Sequence, residues 1–174
     1  MRHWVLALAF LSIGFVTPVQ AQTEPLLRAL NQVCLPFTQF DVSLAQAVAA
    51  GRQIGFSSGV LPPDTRTAYW EIRTADGGWS LLLQEKQPGA EHLCAVRRTG
   101  NHVRLFEQAL RPLMTGTAQW SETDDYDYEP GWTRSRQVNG RRLFTSVSVL
   151  EKYVAGAGGT TEMQVSGRLY PARP

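Results

Sequence analysis

The chain has 174 residues, with 17 Lys and Arg against 15 Asp and Glu, 43% apolar residues and two cysteines. That length suits one mature domain with an adequate core, and the near-neutral charge leaves no electrostatic case for nucleic-acid binding. Lys86 and Lys152 are the only lysines, so arginine carries nearly all of the positive charge.

The chain starts with a short cationic segment, Met1, Arg2 and His3, followed by the uncharged apolar run Trp4 to Val16. This order reads as a secretory signal peptide, and the run is shorter than the roughly 20 apolar residues that a spanning helix needs. Thr17 and Pro18 break the run, and Val19, Gln20 and Ala21 put small side chains where a signal peptidase reads, so cleavage is expected after Ala21. The expected organisation is a signal peptide over residues 1–21 and a single α+β domain over 22–174, periplasmic or secreted, with no membrane anchor after cleavage.

Thr23 is a suitable N-cap before Glu24 and Pro25, and Leu26, Leu27, Leu30 and Val33 recur at helical spacing, predicting a short helix that ends near Cys34 and is interrupted by Pro36. Asp41 is placed to cap a second helix from Val42 to about Ala50, with Gly51 as its stop. Gly55 to Thr65 is rich in Gly, Ser and Pro and reads as a loop. The period then changes to two, predicting strands over 68–74, 79–85 and 92–98 as a meander of antiparallel hairpins.

Asn101 heads a third helix, with Val103, Phe106, Leu110 and Leu113 on one face, which Pro112 should bend or shorten. Strands are predicted again over 118–121, 132–138, 141–150 and 163–170, with a loose loop at Gly156, Gly158 and Gly159. Asn139-Gly140 is the strongest hairpin signal, because a type I′ turn needs positive φ at both central residues. The expected fold is two N-terminal helices, an antiparallel meander, a crossing helix and further antiparallel strands.

Two cysteines in an exported chain favour a bridge, Cys34 to Cys94. His92 lies two residues from Cys94, but that spacing does not by itself make a thiolate-imidazole pair. Gly55-Phe56-Ser57-Ser58-Gly59 fits the nucleophile-elbow pattern. An elbow requires a strand before the serine and a helix after it, whereas here a helix precedes and Pro62 and Pro63 follow. The acidic and aromatic run Glu122 to Trp132 departs from a calcium loop started at Asp125, which would need Gly and Glu where Pro130 and Arg136 stand. Asp124, Asp125, Asp127, Tyr128 and Trp132 are read as a candidate recognition loop, set against a solvated loop whose charges pair with Arg134, Arg136, Arg141 and Arg142. Arg97-Arg98 and Arg141-Arg142 would form a basic strip only if their strands were neighbours, and each pair sends one guanidinium to a given face. Trp70, Trp79 and Trp120 are read as core anchors.

Cys34, Ala45 to Ala50 with Gly55-Phe56, Trp70, Trp79 with Leu81 to Leu83, and Cys94-Ala95-Val96 before a helix together resemble a group of small exported proteobacterial proteins. The resemblance spans residues 30–114. It implies a periplasmic setting, is consistent with the disulfide, and brings no catalytic residues to carry over.

No cofactor, metal site or catalytic residue is expected. The leading reading is a non-catalytic binding or interaction module that takes a protein, peptide or envelope component. Its alternatives are a small serine hydrolase using Ser57 and a carrier of a small apolar ligand.

Overall fold

The computed structural model describes residues 18–57, 69–87, 89–117, 119–124, 130–154 and 158–171. The first helix, α1 (Pro18–Ala29), continues through a π-helical turn at Leu30–Cys34 into α2 (Leu35–Thr38). Pro36 does not interrupt this run as the sequence predicts: it follows directly on the π-helical turn, in which Leu35 N–H reaches back to the Leu30 carbonyl, and this wider turn carries the helix past the proline. Thr23, the expected N-cap, lies inside the described helix and does not head it.

Helix α3 (Leu44–Gln53) is capped by Ser43 rather than Asp41. Ser43 accepts from the backbone N–H of Gln46 while the Gln46 side chain accepts from the backbone N–H of Ser43, a reciprocal pair unavailable to Asp41. Gly51 lies inside this helix instead of ending it. A Cβ there would come within 2.7 Å of Ile72 Cδ1 and 2.9 Å of Leu81 Cδ2, so glycine lets α3 lie close on the sheet.

Seven strands follow: β1 (Tyr69–Arg73), β2 (Trp79–Gln87), β3 (Glu91–Thr99), β4 (Ser121–Asp124), β5 (Pro130–Val138), β6 (Arg141–Val154) and β7 (Gly158–Tyr170). The strand predicted at 118–121 begins only at Ser121, and Gly158 and Gly159 belong to β7 rather than to a loop. Asn139 and Gly140 both have positive φ, 49° and 74°, giving the expected tight β5–β6 turn. All the strands form one antiparallel sheet in the order β1-β2-β3-β7-β6-β5-β4. The class is therefore mixed helix and sheet, with strands predominating.

The connection from β3 to the far edge strand β4 runs through α4 (Val103–Thr115). Its buried Phe106, Leu110 and Met114 face the sheet, and Phe106 stacks on Trp79 with ring centroids 5.6 Å apart. The helices share one apolar core with alternate strand residues, among them Ile72, Leu81, Leu83, Val96, Val147, Val149, Met163 and Val165. Cys34 and Cys94 are bonded, both fully buried, and join the π-helical turn to the middle of β3. Gly167 on β7 sits directly under α2: a Cβ at that position would fall 1.7 Å from the Thr38 carbonyl oxygen.

Candidate functional site

The residues that alternate with the core set point to the sheet's other face, which no described helix covers. The register builds this face row by row. Arg73 pairs with Ser80, Ser80 with Arg97, and Arg97 with Glu162, so these four lie in line across β1, β2, β3 and β7. Thr99, Thr160 and Lys152 form the adjacent row. Between the two rows and the β1–β2 turn lies a polar cleft of about 200 Å³, lined by Glu71, Arg73, Ser80, Arg97, Thr99 and Thr160 with the backbone of Gly77 and Gly78.

Glu162 organises this cleft. Its carboxylate is 1% exposed, accepts from Arg97 Nε at one oxygen, and takes Lys152 Nζ at 2.8 Å on the other. A buried carboxylate is tolerable only when its lone pairs are matched in this way. The Arg97 guanidinium is consequently held through Nε, and its two terminal nitrogens make no hydrogen bond to a described residue. Arg73 is held by Glu71 through Nε at 3.2 Å and Nη2 at 3.1 Å. At the rim, the Thr74 hydroxyl and the Gly78 N–H donate to Asp76 and hold its carboxyl below the usual range.

The residues singled out in the sequence are dispersed. Asp124 ends β4, Trp132 sits within β5 at 1% exposure, and Asp125, Asp127 and Tyr128 lie outside the described residues. Trp132 is thus a core residue and not an exposed contact; the alternation of β5 turns it toward the helices. Arg134 stacks on Trp120 at 4.5 Å, and Arg136 reaches Asp41 at 3.4 Å. Arg141 donates to the carbonyls of Leu169 and Tyr170, and Arg142 covers the Tyr170 ring. Burial, and then repulsion by Arg136, lower the Arg134 pKa from the ordinary arginine value. No basic strip forms, because β7 separates β3 from β6, and Arg98 turns inward over Trp79 while Arg97 faces the cleft. Trp79 is a core anchor as predicted, Trp120 is half-buried, and Trp70 is 38% exposed.

The histidines are engaged elsewhere. His92 is 5% exposed and sandwiched between Phe37 and Phe40, at 4.4 Å and 4.1 Å. Its Nδ1 donates to the Phe37 carbonyl at 2.8 Å, which leaves Nε2 facing Glu85 at 3.8 Å. His102 Nε2 donates to the Thr99 carbonyl at 3.0 Å. Ser57 is exposed just beyond α3, and Ser58 and Gly59 lie outside the described residues. Among the described residues, neither imidazole has Ser57 as a partner. Among them, too, no three His, Cys, Asp or Glu side chains are grouped to hold a metal ion.

Protein-family models, curated proteins and solved structures contain no match to this chain. The cleft therefore stands on its own geometry. Glu162 and Lys152 are not marked in the sequence, since only the pairing of β7 with both β3 and β6 brings them to Arg97, while Arg73 reaches it across the β1–β2–β3 meander through the register with Ser80.

Proposed function

We propose that the chain is an exported, non-catalytic binding module of the cell envelope and that it takes its ligand on the open sheet face. The observation that carries this reading is Arg97, fixed by a buried carboxylate with its terminal N–H groups directed to no described residue. Arginines held by a second residue in this way are preorganised for recognition. The non-catalytic part is supported by the engagement of His92 and His102 away from Ser57.

Export is supported by the signal-like N-terminus and by the internal disulfide, a bond that persists in oxidising compartments. Pro25 adds a structural point. It lies inside α1, where an interior proline costs about 3 kcal/mol, whereas cleavage after Ala21 would move it into the first turn and remove that cost. No described helix is long and apolar enough to cross a membrane.

The test is native mass spectrometry of the chain recovered from its export compartment, with and without Arg97→Gln, alongside labelling by a fluorophosphonate probe. The expected result is a mass from residue 22 onward, a co-purified ligand or partner lost in the variant, and no labelling. Labelling that disappears in Ser57→Ala would replace this reading with the hydrolase one.

A further inference from the structure

We propose that the cleft between Arg73 and Arg97 binds a carboxylate group carried by a small organic molecule, an inference that rests on the binding-module reading and names its ligand class. Charge leaves the choice to geometry: Arg73, Arg97 and Lys152 are matched in number by Glu71, Glu162 and the rim carboxylate Asp76, so an anion is held by hydrogen-bonding groups left open and not by a surplus of positive charge. Arg73 is committed to Glu71 through two nitrogens, and Lys152 is committed to Glu162. Arg97 keeps two terminal nitrogens with no described partner.

Geometry argues for a carboxylate. Glu162 holds Arg97 by Nε alone, so its two terminal nitrogens remain as a planar pair of donors, the fork that matches two carboxylate oxygens. Ser80 lies opposite Arg97 on β2, Thr99 follows it two residues on along β3, and Thr160 lies across from Thr99, all within the same cleft. Their hydroxyls supply donors for the remaining lone pairs. The Glu71 carboxylate on the same wall disfavours a second negative charge on the ligand. The volume of about 200 Å³ is larger than a bare ion requires and smaller than the roughly 300–1,000 Å³ of pockets for drug-sized molecules.

Glu162 is a positioning residue in this scheme. Its replacement by glutamine would make the cleft more positive, which on charge alone favours an anion, yet would release Arg97 from its orientation. The two effects have opposite sign, so the substitution separates them.

The experiment is isothermal titration of the purified, disulfide-bonded chain with benzoate, acetate, benzamide and inorganic phosphate. Benzoate is expected to bind, benzamide at least tenfold more weakly, and phosphate more weakly than benzoate. Arg97→Lys, which keeps a cation beside Glu162, should weaken benzoate binding at least tenfold with the folded circular-dichroism spectrum retained, and Glu162→Gln should weaken it in spite of the added positive charge. Equal binding of benzamide, unaltered binding by Arg97→Lys, tighter binding by Glu162→Gln, or phosphate binding without carboxylate binding would each overturn the proposal. If neither carboxylate binds while a co-purified ligand is still retained through Arg97, the carboxylate assignment falls and the binding-module reading stands.

Discussion

Gly167 shows how much one absent methyl group matters. The Thr38 carbonyl occupies the place where a side chain would begin, and both partners are backbone, so neither moves without shifting α2 or β7. Gly167→Ala is expected to destabilise the fold by about 3 kcal/mol, read as a lowered urea midpoint; an unchanged midpoint would show that α2 is free to lift off the sheet. Asp76 gives a prediction in pH. Its folded pKa is depressed, first by the Thr74 hydroxyl and then by the Gly78 N–H, so its contribution is present above the ordinary value of 3.8 and disappears as pH falls through the folded value. The stability difference between the wild type and Asp76→Asn should therefore be larger at pH 6 than at pH 3; equal differences would refute the assignment. Single residues were unevenly legible in the sequence. Cys34 and Cys94 could be paired because only two cysteines exist, and Asn139-Gly140 because its backbone demand is specific. Trp132 was misread because a strand residue beside an acidic run carries no local mark of which face it will take.

At the scale of elements, sequence signals succeeded where they were periodic and failed where caps competed. β2, β3, β5 and β6 were each recognisable from alternation to within a few residues. Helix α3 began two residues later than expected because a capping box outcompeted a lone aspartate. Ser43→Ala is expected to cost about 1 kcal/mol and Ser43→Gly only a few tenths, since glycine also suits the N-cap backbone. Equal losses in chemical denaturation would remove the side-chain bond from the account. The π-helical turn at Leu30–Cys34 had no sequence signature at all. It sets Val33 and Cys34 into the core while carrying the helix past Pro36.

At the scale of the whole molecule, the disulfide ties the helical layer to the sheet between residues 60 apart. Closing such a loop contributes about 4 kcal/mol on the chain-entropy account, so reduction should lower the melting temperature by roughly 10 °C. A drop of only about 1 °C would mean that the packed core alone fixes the two layers. The class and the helix crossing between strand groups could be read from the element order, but the strand order could not, and with it the cleft stayed hidden. Arg73 and Arg97 are brought into line by the β1–β2–β3 meander, but Glu162, 65 residues beyond Arg97, joins them only because β7 returns to the centre. That return also orders events in time. During synthesis the β1–β3 meander and the β4–β6 meander both emerge before the strand that unites them. Both cysteines are out as well, whereas Glu162 arrives with that last strand. The cleft is thus the final part of the molecule to be completed, and a chain truncated before residue 158 would keep both cysteines and Arg97 but lack the Glu162 that fixes the guanidinium in place.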